Sequence, residues 1–463
     1  MGLARGDIPM KRLRLMVFGD KQFDELLRDS IVLLVVRVLA VMLGLATLMI
    51  VARWFGAGAT GLVALFNSVA LVFGTFAAFG LGELLMRELS SADAVTMPHK
   101  RHIFFKALVA VLSVAGFLLA LPLVLIYLRL PEFALHSPVL VLGVAIMLLL
   151  GRALLNFMEK ISRAVSGVRV YTSFLILPVL INFIIVSVCG LYGVRMPLLP
   201  SIALAFAVGV SAVFLLIYLS HRLAMQDQSG IERPAQSYPE NKLPDRKMLL
   251  RKGFPFAVSA VLAMLIMEGN LIVAGFLLPI DQVGVYSVAH KMSLLTAFFL
   301  TSVNMIAAPR FSRLHASGET EQLRNYSQRV TALIFLATIP IILVFIFARD
   351  WLILTGFGPE FRDAAPALAI LMIGQAVNAY TGVSNIFLNM TMGEKQLAQV
   401  IAVAATINIV LSLLLTPHFG INGLAIALAV SLSVWNLAAI VVIRVRNGFW
   451  LCWIPVRFLN YGR

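Results

Sequence analysis

Twelve apolar stretches, each close to the ~20 residues that cross a hydrocarbon layer as an α-helix, constrain this chain more than any other feature. They lie near residues 31–52, 61–85, 103–129, 138–158, 168–190, 199–219, 253–279, 284–309, 328–350, 364–390, 397–416 and 422–444. Short polar clusters separate them. Of the 463 residues 60% are hydrophobic and 13% charged, against about 25% charged in an average soluble domain. Too few polar residues remain to cover a soluble surface, so the bilayer is the solvent. The expected fold is an all-α integral membrane protein with twelve transmembrane helices.

A formal net charge of +15 would suit nucleic acid if the cations formed one groove with interleaved aromatics. They do not, and no nucleic-acid partner is expected. With both termini on one side, 29 Lys and Arg fall in the termini and even-numbered loops or in the stretch ends beside them, and five (Arg53, Arg129, Arg195, Arg349, Arg362) in or beside the odd-numbered loops. The positive-inside bias therefore predicts cytoplasmic termini, and the expected location is a bacterial inner membrane. The first 30 residues carry Lys11, Arg12 and Arg14 without the short apolar core of a cleaved signal, and MKRLRLMVFGDKQFDELLRD alternates basic and apolar residues as an interfacial helix would. Cys189 and Cys452 fall on opposite sides and should not pair.

The polar run HRLAMQDQSGIERPAQSYPENKLPDRKMLLRK at 220–252, with Pro234, Pro239 and Pro244, reads as a cytoplasmic linker. It divides the chain into an N-terminal segment (1–30), a six-helix bundle (31–219), the linker, a second six-helix bundle (253–444) and a cytoplasmic tail (445–463). A shift of 223 residues brings the first six stretches close to the second six, and sets Gly61 on Gly284 and Arg87 on Arg310. One offset that registers so much points to duplication. Six is even, so the repeats are parallel, related by an axis along the membrane normal, and in transporters such repeats commonly hold substrate between them.

Particular residues then look familiar. ARWFGAGATGLVALFNSVALVFGTFAAFGLGELLMREL (52–89), with Gly56, Gly61, Gly80 and Arg87, resembles the first hairpin of the polysaccharide and O-antigen flippases, within the multidrug/oligosaccharidyl-lipid/polysaccharide exporter superfamily. GVYSVAHKMS (284–293), TGFGPEFRDAAPALAIL (355–371), NMTMGEKQL (389–397) and INIVLSLLLTPHFGINGLAIALAVS (407–431) are similar to the corresponding family stretches. The resemblance implies two bundles facing a central cavity, alternating access, and a polyprenyl-pyrophosphate-linked oligosaccharide as cargo. Membrane lipids are further partners, and polysaccharide polymerase machinery is another. One departure stands out: family members often carry an Asp in the seventh helix where EGNLIVAG here has Asn270, with Glu268 two residues earlier. The two lie about 200° apart on a helix.

Ionisable groups inside the hydrocarbon cost roughly 2.5 to 3.5 kcal/mol each on insertion scales and generally face a bundle interior. Arg37, six residues into the first helix, is a substrate-binding candidate whose planar fork suits a diphosphate; the alternative is snorkelling to headgroups. Lys291, on one stripe with Ser287 and Ser302, is a second candidate, with an ion pair to Glu268 as its structural alternative. Arg152 is a third, although it and Glu83 are expected within a turn or two of the inner face, where anchoring competes. Glu268 and Asn270 are the ion-coupling candidates, for a proton or sodium. No other cofactor is expected.

Asn182, Asn304, Gln375, Asn378, Asn385 and Asn408 are expected mainly to hold helices together, and Pro178, Pro255 and Pro340 to kink or start them. The seven histidines form no intramembrane pair at metal-ligand spacing, and no Gly-rich phosphate loop occurs. Three functions are weighed: a flippase for an O-antigen or exopolysaccharide unit, a cation-coupled multidrug exporter, and a membrane-embedded polysaccharide polymerase or ligase. Exported drugs are mostly cationic, so buried Arg37 and Lys291 favour the anionic cargo. The short outer loops carry few acids or histidines, which disfavours an enzyme.

Overall fold

A computed structural model of the chain describes residues 21–89, 100–120, 123–124, 138–229, 246–391 and 393–451. It is helical throughout, with no strand among the described residues. The helices are α1 (Lys21–Ala78), α2 (Leu81–Leu89), α3 (Lys100–Leu118), α4 (Pro138–Leu191), α5 (Leu199–Ser229), α6 (Arg246–Leu277), α7 (Ile280–Ala316), α8 (Thr320–Phe347), α9 (Arg349–Gly356), α10 (Ala364–Thr381), α11 (Ser384–Met390) and α12 (Glu394–Asn447). A 3-10 turn, Pro359–Phe361, joins α9 to α10.

Ten stretches of the described residues are long and apolar enough to cross a membrane, and two of them, Val32–Ala78 and Lys395–Asn447, run for 47 and 53 residues. At 1.5 Å per residue each exceeds about 70 Å, more than twice the hydrocarbon thickness. Both are interrupted. Gly56 (φ 83°, ψ −177°) breaks α1 and Gly420 (φ 55°, ψ −133°) breaks α12, in a region that side chains with a Cβ avoid. At Gly420 the chain reverses, since Ser431 Oγ donates to the Ala404 carbonyl at 2.7 Å. Each long stretch thus crosses twice, and the protein is a multi-pass membrane protein with the twelve crossings expected.

The boundaries differ from the sequence expectation in instructive places. Helix α1 is already helical at Lys21, ten residues before the first apolar stretch, and α4 continues past residue 158 to a break at Gly167 (φ 78°, ψ 179°). Polar residues at 159–164 looked like a loop, yet they form two more turns of helix. The 220–252 segment is also partly helical: α5 extends to Ser229 and α6 begins at Arg246. Residues 1–20, Cys452 and most of the tail lie outside the described residues, as does the rest of the linker.

The 223-residue offset reappears in three dimensions. The break at Gly56 corresponds to Pro279 between α6 and α7, that at Gly167 to Met390 at the end of α11, and the 192–198 connection to the segment holding Gly420. The repeats also touch symmetrically. A Cβ on Gly61 would lie 2.0 Å from the Ile280 carbonyl oxygen, and one on Gly284 would lie 2.1 Å from that of Ala57. Ala57 and Ile280 are themselves 223 apart, so each half presents the same carbonyl to the other's glycine. Only glycine lets two backbones approach this closely.

Each half buries its own apolar residues. One core is drawn from Leu62 to Leu223, the other from Ile266 to Leu451 with Ala52 and Ala64 added from the first half. Outward positions are apolar too: Val213, Phe214 and Ile217 of α5 and Leu413 and Leu414 of α12 are all exposed. Such surfaces would be costly in water and are matched to lipid.

Candidate functional site

Two close helix approaches bring the membrane-embedded charges together. Gly74 lets α1 ride on α4, because a Cβ there would sit 2.9 Å from the Arg152 carbonyl carbon. Arg152 Nη2 then donates to Asn67 Oδ1 at 2.8 Å, while its Nε is buried without an acceptor. Gly275 makes room for Leu65 and draws α6 onto α1. There Ser68 Oγ donates to Glu268 Oε2 at 2.6 Å, a fully buried hydrogen bond between the first half and the second.

The other oxygen of Glu268 accepts from Lys291 Nζ of α7 at 3.3 Å. The two partners differ in exposure: the Glu268 side chain is 7% exposed and that of Lys291 34%, so the cation keeps an open side. Arg152 is electrostatically coupled to both Glu268 and Glu159. Glu159 is coupled in turn to Arg152, Lys160 and Arg37. A run of charges thus leads from Glu268 and Lys291, where the halves meet, to Arg152 of α4 and on to Glu159, Lys160 and Arg37 of the first half. A polar ladder continues along α4, with Asn156 Nδ2 donating to Thr75 Oγ1 at 3.3 Å and Lys160 Nζ to Glu83 Oε1 at 2.6 Å.

The sequence-derived candidates fall as follows. Arg37, Arg152 and Lys291 are all partly buried. The position expected for Arg152 is corrected, because α4 runs on to Gly167 and leaves Arg152 fifteen residues before that break and fourteen after Pro138, near mid-helix. Lys291 makes the ion pair with Glu268 that was its structural alternative, while keeping its exposed side. Glu268 and Asn270 do point apart: Asn270 Nδ2 donates to the Leu424 carbonyl at 2.9 Å and to Tyr286 Oη at 3.3 Å, inside the second half. Ser287 and Ser302 bond only to carbonyls of their own helix.

Among the amides, Asn378 pairs with Gln375, Asn385 with Asn436, and Asn408 with the Ile266 carbonyl, which is packing. Three residues escaped the sequence reading. Ser68 and Asn67 carry no charge to flag them, although an adjacent Asn and Ser inside an apolar run was a visible signal. Glu159 was assigned to a loop. A fourth, His290, is buried, stacked on Tyr286 at 6.0 Å between centroids, with neither ring nitrogen hydrogen-bonded. No cluster of three or more metal-binding side chains occurs among the described residues.

At the far end of the same seam the halves meet again. Arg53 Nε donates to the Gly356 carbonyl at 3.0 Å and its Nη2 to that of Thr355, and the Ala57 amide donates to Glu360 Oε2 at 3.3 Å. A cavity of about 590 Å³ opens there between Arg53, Trp54 and Trp351. It holds none of the seam charges.

Comparison with known proteins gives consistent likenesses. A family described as Polysaccharide biosynthesis protein matches residues 26–315, and the MatE family matches residues 255–414. A probable low-salt glycan biosynthesis flippase, Agl15 of Haloferax volcanii, is 29% identical over 168 residues, and the probable flippase AglR of the same organism is 24% identical over 174. Those matches span only about a third of either relative, 35% and 36% of their lengths, and 36% and 37% of this chain. Among solved structures, the lipid II flippase MurJ in an inward closed conformation aligns with a TM-score of 0.65 at 16% identity, over 89% of this chain and 87% of that one. An inward-facing multidrug resistance MATE transporter aligns with a TM-score of 0.64 at 14% identity, over 90% and 98%. These likenesses share the twelve-crossing, two-repeat fold.

Proposed function

Because the chain belongs to the Polysaccharide biosynthesis protein family, we propose that it is a flippase that moves a polyprenyl-pyrophosphate-linked oligosaccharide across the membrane by alternating access. The observation that carries this reading is the Glu268–Lys291 pair where the repeats meet, with Lys291 partly open and Arg152 within electrostatic reach of Glu268. A diphosphate leaving water needs cations to replace its hydration, and planar guanidinium forks match its oxygens. A few cations rather than a dense cluster allow release. The probable flippases among the relatives point the same way.

In this scheme the termini are cytoplasmic, in keeping with the charge bias, and the membrane is a bacterial inner membrane. The Gly61–Gly284 contact and the Arg53 bonds then close the outer end, and rocking of the bundles opens it while the polyprenyl tail stays in lipid. The cargo is an O-antigen or exopolysaccharide repeat unit, handed on to polymerase machinery. Glu268 and Asn270 lie beside the path as the groups through which a proton or sodium ion could drive it. The protein's part is transport and not catalysis.

The MatE match over 255–414 keeps a drug exporter as the second reading, and charge discriminates the two. In proteoliposomes, Arg152→Gln and Lys291→Gln should slow movement of a fluorescent polyprenyl-diphosphate sugar at least about tenfold, the loss expected for one charge-assisted contact. Cationic dye efflux by the unaltered protein, undiminished in the two variants, would instead support the exporter.

A further inference from the structure

Resting on that reading, we propose that Glu268 sets the charge threshold of the site: it keeps Lys291 from singly charged lipid phosphates and yields it to a diphosphate. The membrane around this protein is full of anionic phospholipid headgroups, so a seam of bare cations would fill with them. Selectivity against such a competitor requires an element that penalises it.

The geometry supplies one. Glu268 places one oxygen on Lys291 at 3.3 Å and the other on Ser68 of the opposite half at 2.6 Å. Lys291 is therefore neutralised at rest while part of its side chain stays exposed. A phosphodiester with one charge that approaches the open side of Lys291 meets a cation already neutralised by Glu268. It adds a second anion beside a buried carboxylate with no further cation to offset it, which is unfavourable. A diphosphate diester brings two charges. It can engage Lys291 of α7 and, at the same time, Arg152 of α4, whose buried Nε has no acceptor and whose charge is coupled to Glu268. The second contact offsets the repulsion from Glu268, so two charges bind where one does not.

Serine at position 68 holds the carboxylate in place from the other repeat. Without that bond Glu268 could rotate away from Lys291, and the threshold would weaken.

The test compares a farnesyl-diphospho-sugar with the matching farnesyl-monophospho-sugar, binding to the full chain in phosphatidylcholine nanodiscs with and without phosphatidylglycerol. The unaltered protein should prefer the diphosphate by more than about tenfold and be insensitive to phosphatidylglycerol. Glu268→Gln, which keeps an acceptor for Ser68, should narrow the preference to about threefold or less and let phosphatidylglycerol compete. Glu268→Asp, which keeps the charge, should restore much of the discrimination. Equal binding of both probes by the unaltered protein overturns the proposal without any variant having to fold. So does a Glu268→Gln protein that stays insensitive to phosphatidylglycerol. If the unaltered protein binds neither probe, the diphosphate cargo itself falls and this proposal with it.

Discussion

Single residues show how far composition can be trusted and where it misleads. The 200° separation of Glu268 and Asn270 was readable from helical geometry alone, and the two side chains do serve different partners, Glu268 across the seam and Asn270 within its own half. Asn270→Leu should therefore lower stability by about 1 to 3 kcal/mol, because the Leu424 carbonyl loses its buried donor, and a lowered Tm in detergent would show it. Lys291→Gln should be worse than its half-exposed position suggests, since it strands Glu268 without a cation. The pair Lys291→Gln with Glu268→Gln should recover part of that loss, as expected when an ion pair rather than one partner is removed. A double variant no more stable than Lys291→Gln would mean the pair contributes nothing. Arg152 is the counter-example for sequence reading. Its place near the middle of the helix is hidden in the sequence because the charges of Glu159, Lys160 and Arg163 imitate a helix end, when they continue the same helix, in which Asn156 and Lys160 bond to Thr75 of α1 and Glu83 of α2.

Elements were legible as lengths and illegible as continuities. Each of the twelve apolar stretches found its crossing, yet three pairs of stretches proved to be single helical runs bent at Gly56, Gly167 and Gly420. A glycine at positive φ reverses or bends a helix without the polar loop that marks a boundary in sequence. Packing between elements was less visible still. The approach of Gly61 and Gly284 emerged from the repeat as a matched pair, but nothing in the sequence said that they touch. Gly61→Ala should force Ile280 away and cost about 1 to 3 kcal/mol. Gly284→Ala should do the same, and the double variant should cost less than the two together, since both open one contact. Strict additivity in thermal unfolding would show that the two sites are independent. Under the proposed topology, either variant should also raise the labelling of a cysteine placed near residue 57 by an outside reagent.

At the scale of the whole molecule, each half has its own core, and the halves are joined along an extended seam where α1 packs on α6 and α7, marked by the paired glycines, the Ser68 to Glu268 bond and the Arg53 carbonyl bonds. The covalent connection at 230–245 is then expected to be dispensable. Residues 1–229 and 246–463, expressed together as separate chains, should co-purify and retain transport, and recovery of only one chain on a tag carried by the other would refute this. The duplication behind the arrangement was legible because one offset registered all the helices. The site was legible only as a roster of unusual charges. That roster names Arg37, Arg152, Lys291 and Glu268 and leaves out Glu159. It missed the uncharged Ser68 and Asn67, which decide where the charges point.

The mutual burial of Gly61 and Gly284 has a bearing on ancestry. Residue against carbonyl in one direction, and its counterpart against the counterpart carbonyl in the other, is the signature of an isologous two-fold interface. Before the gene doubled, a protein of six crossings inserted in a single orientation could have made the same embrace with a second copy of itself. Fusion then freed the two copies to diverge, one acquiring Arg152 and the other Glu268 and Lys291, while both kept the bare backbone on which they first met.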